Sequence, residues 1–392
     1  MRGRTFSARR PIFAAIIAAA TFAGSAWAQT AAPTAPASAS AGSPAEMALD
    51  PNVMQAGCAN CGSGAYGSTG GLPGCNSCMG AGCDGPRCVP GRMECCEPCE
   101  ACSMFGRLWC GLKGGFCCPD PCYQPCYIPA ANAAFFVDSA KPVSQMTIRW
   151  DAGRDGSTAD RGEYFFGKWG TKGPPLSKFQ LSGINWHELS QTWEYAVDRF
   201  SFFMNTPYRF VTNDGAGFGD MMIGTKSLIM DSEILLLGTE FKTFIPISNF
   251  HKGLGNGHTS LEPSLLLTLK VMPDTYVQFQ LSEWIPLGGT PGFDGAMLHY
   301  HLSLNHVLVK PTNDLQLIGT MEFFGYRFQD GLYTTTAAGT TASAHDASYF
   351  SIGPGVRLVF CTTFDIGVGT GFSVTNNNLA RQLYRTEIRW RF

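Results

Sequence analysis

Beyond its first 28 residues the chain has no run of about 20 apolar residues, so it encodes no transmembrane helix. Charge is scarce, at 15% of 392 residues, and the formal net charge is only −2. Neither sign dominates, which removes the basic footprint of a nucleic-acid binder. No Cys-x-x-Cys-His occurs, and this excludes covalently attached haem on motif grounds. What is plentiful is glycine (46 residues), aromatic side chains (12%) and cysteine (16). That mixture suits glycine-jointed, aromatic-rich strands better than a soluble helical enzyme.

Residues 1–28 read as a cleaved secretory signal. Arg2, Arg4, Arg9 and Arg10 give a positive start, residues 12–23 an apolar stretch too short to span a membrane, and Ala26-Trp27-Ala28 a cleavage site before Gln29. No cysteine follows that site, so the sequence offers no lipid-anchored N-terminus. Composition divides the rest. Residues 29–57 are an Ala/Pro/Ser-rich linker, residues 58–126 a Cys/Gly/Pro module, and residues 127–392 a strand-rich module.

Strict alternation runs through the strand-rich module. Phe200, Phe202, Met204, Thr206, Tyr208 and Phe210 share one face, as do Leu235, Leu237, Thr239, Phe241, Thr243 and Ile245, opposed by Gly238, Glu240 and Lys242. Late in the chain Phe364, Ile366, Val368, Phe372 and Val374 oppose Asp365, Gly367, Gly369 and Gly371. The last strand sets Tyr384, Thr386, Ile388, Trp390 and Phe392 against Arg385, Glu387, Arg389 and Arg391. The pattern predicts twelve strands, near 143–152, 189–198, 199–211, 217–230, 232–246, 260–271, 274–286, 296–309, 313–328, 348–361, 362–374 and 383–392. Most have the roughly 9–11 residues or more that a tilted membrane strand needs.

The connections alternate between tight turns, such as Asp198-Arg199 and Thr362-Thr363, and longer segments at 153–188, 212–216, 247–259, 287–295, 329–347 and 375–382. Outer-membrane barrels have this rhythm. Trp150, Trp193, Trp284 and Trp390, with Tyr208, Tyr300 and Tyr384, sit on or near the apolar face, as an interfacial aromatic belt requires. A soluble β-sandwich would need far less apolar surface than one whole face of every strand. The expected fold is all-β: an antiparallel transmembrane β-barrel of about twelve strands in the outer membrane, preceded by a small disulfide-stapled module.

With the apolar face toward lipid, the lumen receives Arg149, Glu194, Asp220, Lys226, Glu240, Lys242, Glu262, Lys270, Glu322, Arg357, Asp365, Arg385, Glu387 and Arg389. Seven are acidic and seven basic, and balanced charge predicts paired networks that narrow the pore rather than a one-sign selective field.

The cysteines of the module are Cys58, Cys61, Cys75, Cys78, Cys83, Cys88, Cys95, Cys96, Cys99, Cys102, Cys110, Cys117, Cys118, Cys122 and Cys126; Cys361 stands apart. Cys58-x-x-Cys61 and Cys75-x-x-Cys78 have the spacing of a four-thiolate zinc site. In an exported chain such cysteines more often form disulfides that staple a segment lacking a core. Fifteen is odd, and Cys361 lies at a turn on the module's side of the barrel, so a bond to Cys361 would dock the module beneath the barrel as a plug.

Two arrangements touch on catalysis. His299 and His301 share a strand face and could hold a metal, although inward histidines are ordinarily plain lumen groups. His301 and Ser303 suggest a hydrolase pair, but both point inward and no third residue orients the histidine. The sequence therefore predicts no enzyme, no cofactor and no metal ligand. Its expected partners are the lipid bilayer, a small-molecule solute and a periplasmic or cell-wall component.

Several segments resemble the outer-membrane channel family linked to aromatic-hydrocarbon catabolism, of the phenol meta-pathway type. They are Gly217-Phe-Gly-Asp-Met-Met-Ile-Gly224, Phe241-Lys-Thr-Phe-Ile-Pro246, Gly253-Leu-Gly-Asn-Gly257, Leu261-Glu-Pro-Ser264 and Arg385-Thr-Glu-Ile-Arg-Trp-Arg-Phe392. The resemblance covers about residues 143–392 and implies passive uptake of small, often hydrophobic compounds. Where the family has Pro-Thr-Gly, this chain has Pro246-Ile-Ser248. The cysteine module has no counterpart in the family. A structural envelope anchor with a closed barrel is the competing expectation.

Overall fold

In the computed structural model, residues 126–212, 215–272, 274–312 and 314–392 are described. The signal, the linker and the cysteine module up to residue 125 lie outside them. Fifteen strands form: β1 (Gln145–Gly156), β2 (Ile184–Val197), β3 (Phe200–Val211), β4 (Gly215–Phe218), β5 (Met221–Asp231), β6 (Leu235–Ile245), β7 (Thr259–Met272), β8 (Thr275–Leu287), β9 (Met297–Thr312), β10 (Leu315–Phe328), β11 (Leu332–Thr334), β12 (Thr341–Ser343), β13 (Ser348–Phe360), β14 (Phe364–Ser373) and β15 (Gln382–Arg391). β11 and β12 make a separate two-stranded hairpin.

The other thirteen form one antiparallel sheet closed on itself: β1 pairs with β15 as well as with β2, and the run continues round to β3. β4 and β5 both pair with β3, one after the other, and act as a single stave broken at Gly219-Asp220. The wall therefore has twelve staves, as alternation predicts. Closure leaves no unpaired edge, the condition a sheet must meet in hydrocarbon.

Side-chain alternation sorts the staves into a wet and a greasy face. Phe200, Phe202, Phe210, Phe241, Val356, Ile366, Val368 and Phe372 are exposed on the outside. So much outward apolar surface around a closed sheet is what a lipid environment satisfies and water does not. Trp150 (42% exposed), Trp193 (46%) and Trp390 (50%) belong to this surface, but Trp284 (5%) does not. Trp284 lies in register with Gln278, Gln280 and Ser282 on the inward face of β8, and packs with Met297, Phe328 and Tyr349.

Asp198, Asp274 and Cys361 take left-handed φ values of 53°, 60° and 52° in the tight turns. The alternation of short and long connections fails once. β3 and β4 pair directly, Val211 opposite Gly215, so the next stave already begins inside the expected long segment 212–216.

Residues 127–144 are not wall. Pro129–Asn132 form one turn of 3-10 helix, and the chain that follows runs through the lumen. Ala130, Ala131 and Ala133 are buried against Tyr276, Ile318 and Val359 of the wall. A twelve-stranded barrel is wider than one its own side chains fill, and a small-residue strand of chain fits that space. At the opposite end, residues 157–183 fold inward. Phe165, Phe166 and Trp169 join Leu254, Trp186, Phe324 and Leu383 in a buried apolar cluster.

Candidate functional site: an occupied lumen

The lumen segment is held by its backbone. Phe135 and Phe136 donate their N–H groups to the two oxygens of Glu322, each at 2.8 Å. Ala134 N–H donates to Gln278 (3.1 Å) and Asp138 N–H to Gln280 (2.8 Å). Its carbonyls are taken by arginines: Arg357 donates to Ala133 O (3.0 Å), Arg389 to Asn132 O (2.6 Å) and Ala134 O (2.9 Å), and Arg385 to Phe135 O. A buried backbone away from water needs such partners for every polar group, and here the lumen wall supplies them.

The rings are held too. Phe135 lies against Gly355, Gly367 and Gly369, where a Cβ on any of the three would come within 2.8 Å of the ring. The Arg357 guanidinium stacks 4.4 Å from the Phe135 centroid and Arg385 lies 4.4 Å from that of Phe136. Phe136 also stacks on Phe324 at 4.3 Å.

Around the segment the charges pair. Arg357 bridges Asp365 and Glu387 (2.8 Å), Glu387 also receives Arg149 at 3.0 Å and Arg389 at 2.6 Å, and Arg391 reaches Asp365 at 2.6 Å. On the other side Lys242 meets Asp138 (2.6 Å), Glu240 (3.1 Å) and Glu262 (3.6 Å), while Lys226 meets Glu194 (3.4 Å). Thus Arg149, Glu194, Lys226, Glu240, Lys242, Glu262, Glu322, Arg357, Asp365, Arg385, Glu387 and Arg389 converge inside the barrel.

Of the sequence-assigned lumen residues, Lys270 sits apart, while Asp220 lines the interior space from its loop end. Lys270 lies by the turn between β5 and β6 and pairs with Glu233 at 3.4 Å. Asp220 lies at the loop end, accepting N–H groups of Ser248 (3.2 Å) and Asn256 (2.8 Å).

Sequence reasoning missed Asp151, bound by Arg385 at 2.7 Å, and the Arg209–Glu188 pair at 2.8 Å. Asp151 follows Arg149 at the inward period of two, so alternation could have found it. Asp138 precedes the first strand, where no period marks it.

His299 and His301 stack with ring centroids 5.9 Å apart. His301 Nδ1 faces Phe136 O at 2.7 Å, and Ser303 donates to Asn305. The histidine is committed to the lumen segment rather than to Ser303.

Between this segment and the inward loops lies a chamber of about 420 Å³. Asp138, Lys242, Arg149, Glu188, His299 and Tyr326 are among the residues that line it, with Phe165 and Leu254 contributed by the loops. Cys126 precedes the lumen segment at the turn end, its carbonyl accepting from Lys141 Nζ (2.8 Å), which also reaches Asp231 (3.1 Å). Cys126 and Cys361 are both disulfide-bonded.

At the loop end, Asp160 is fully buried and receives Thr334 Oγ1 at 2.6 Å and the N–H groups of Thr334 and Trp169. Burial pushes its carboxyl up to about 6 despite those donors. Burial likewise pushes Glu163 up to about 11, with Asp294 acting in the same direction, and pushes the His258 imidazole down.

No curated protein compared with the chain matches it. Among solved structures, the COG4313 outer membrane channel from Pseudomonas putida F1 is 11% identical, with 70% of this chain and 99% of that one covered and a TM-score of 0.40. The KdgM porin (11% identity; 63% and 99% covered; TM-score 0.34) and the NanC porin (7%; 63% and 100%; 0.36) also align. The family named for the MetA-pathway of phenol degradation matches residues 181–389, starting later than the expected extent of 143–392 but spanning just over half of the chain. The chain belongs to that family.

Proposed function

We propose that this protein is an outer-membrane channel for passive passage of small molecules, hydrophobic ones included, with the lumen segment as its plug. The observation that carries the reading is the chamber: a closed, lipid-suited barrel that encloses about 420 Å³ lined by charged, polar and aromatic side chains. A barrel serving only as an anchor has no need of an interior space. Family membership supports the same reading.

The cysteine-rich module, outside the described residues, would sit in the periplasm and hold the plug's entrance, with disulfides at Cys126 and Cys361 as its ties. The occupied lumen also favours a second reading, a closed barrel that anchors a periplasmic partner of the envelope.

Planar-bilayer conductance separates the two. Oxidised full-length protein is recorded beside a variant lacking residues 29–141. Weak conductance from the first and open channels from the second support a plugged transporter. Silence from both, with the barrel folded, supports the anchor.

A further inference from the structure

Three loops far apart in sequence bring Glu163, His258 and Asp294 together at the loop end of the barrel, and we propose that they bind a divalent transition-metal ion of the Zn2+ type. One ligand atom from each lies within 4.8 Å of the other two. Glu163 is fully buried, and among the described residues neither of its carboxylate oxygens receives a hydrogen bond; His258 Nε2 and Asp294 Oδ1 likewise find no donor there. Two carboxylates aimed at each other in a dry site repel unless a proton or a metal ion stands between them, and the imidazole beside them offers a ligand that only the ion would use.

The histidine is set up for that role. Its Nδ1 lies 3.1 Å from Asn256 O, a group that can only accept, so Nδ1 carries the proton. Nε2 then turns its lone pair toward Glu163 Oε2, 2.5 Å away. A backbone carbonyl that fixes the tautomer and frees the other nitrogen is the usual outer support of a metal-bound imidazole. The nearby cation does not replace the ion: Lys172 Nζ donates to Gly257 O at 3.1 Å. Asp220 adds a further negative charge to the neighbourhood.

The donor set is one nitrogen and two oxygens with no sulfur, which suits Zn2+ and neighbouring divalent ions and leaves coordination positions for water. Tetrahedral bonds of about 2.0–2.1 Å put ligand atoms roughly 3.4 Å apart, so binding requires His258 Nε2 and Glu163 Oε2 to separate from their present 2.5 Å by a side-chain rotation. Gly289, at φ +99°, clears the site, since a Cβ there would run into the Asp294 carboxylate and approach His258 Nδ1. The ion would tie together the loops 157–183, 246–258 and 288–296. The first of these carries Phe165, Phe166 and Trp169, so the metal would fasten the ceiling of the chamber whether or not solute crosses it.

The test uses the oxidised full-length protein, stripped with a chelator and titrated with Zn2+ in a calorimeter. Native protein is expected to bind one more equivalent than Glu163→Gln, a variant of equal size; the subtraction removes any ion held by cysteines. Loss of the ligand should weaken that site by roughly 100-fold or more, since even outer-sphere changes cost on the order of 10–100-fold. Zn2+ should also raise the unfolding temperature of native protein and not that of Glu163→Gln, with heat-modifiable gel migration reporting the folded barrel. If Glu163→Gln does not fold, Asp294→Asn is read in the same way. Equal binding by native and variant, or no Zn2+ effect on native protein, means that a proton joins the two carboxylates, and the proposal falls.

Discussion

The carboxylate of Glu322 on β10 is occupied at both oxygens by consecutive backbone amides, Phe135 N–H on Oε1 and Phe136 N–H on Oε2, each at 2.8 Å. One side chain of the wall thus fixes the position of the lumen segment at its midpoint. Replacing Glu322 by Ala leaves two buried N–H groups unpaired, at about 1–3 kcal/mol each. Glu322→Ala should therefore loosen the segment and raise single-channel conductance in bilayers. Glu322→Gln, which keeps an acceptor, should have a smaller effect. Unchanged conductance and unchanged protease resistance of residues 127–144 would show that the segment does not depend on this clamp.

Glu387 is the shared partner of Arg149, Arg357 and Arg389 and is fully buried. Removing it takes the ion-pair partner from Arg149 and Arg389 and leaves Arg357 only Asp365 among the described residues. Breaking a buried pair from one side typically costs about 3–5 kcal/mol, and Glu387→Ala is expected in that range by urea unfolding in detergent. Asp346→Ala, which breaks an ion pair with Arg327 that is more than half exposed on both sides, is the contrast; such surface pairs contribute little, and no measurable change is expected.

The twelve staves were legible because a barrel wall in lipid imposes one rule on every strand, and Phe364 through Val374 or Arg385 through Phe392 obey it without a break. Trp284 was misplaced because its residue type suggested the lipid interface, while its register with Gln278 and Gln280 points inward; register decides, as a side chain cannot cross the sheet. The lumen segment was not legible. Ala130 to Asp138 has neither period, since it pairs with side chains rather than with a neighbouring strand. The inner-face glycines of β14 were visible, yet nothing in the sequence named the ring of Phe135 that needs them. Glu163, His258 and Asp294 are separated by about 95 and 36 positions and meet only through loop folding.

The loop end should respond to pH through Asp160. Its carboxyl sits at about 6 in the fold against an ordinary 3.8, so the folded state holds this proton more tightly than the unfolded chain does. The resulting stabilisation is complete below about pH 4 and is lost as pH rises through 6, with a full extent of about 3 kcal/mol. Hydrogen-exchange protection factors over residues 157–183, which divide out the intrinsic pH dependence of exchange, are expected to be higher at pH 5 than at pH 7.5. Asp160→Asn should flatten the difference, and a pH dependence that survives this substitution would place its origin elsewhere.

The sharpest test of the plug is steric. Phe135 rests in a trough made by Gly355 on β13 and by Gly367 and Gly369 on β14. A Cβ at Gly367 would lie 2.6 Å from the ring, closer than real contacts allow, and 3.0 Å from Val356 O of the neighbouring strand, a tighter fit than usual that a small shift of the wall relieves. Gly367→Val should therefore displace the segment while leaving the wall closed, and conductance should rise toward that of a chain lacking residues 29–141. Phe135→Ala removes the ring instead of the trough. In the double variant the valine no longer meets a ring, so its effect should be smaller than in native background, a coupling that a double-mutant cycle measures directly. Additive effects would mean that Gly367 and Phe135 act separately, and the trough would then be no more than a packing convenience of β14.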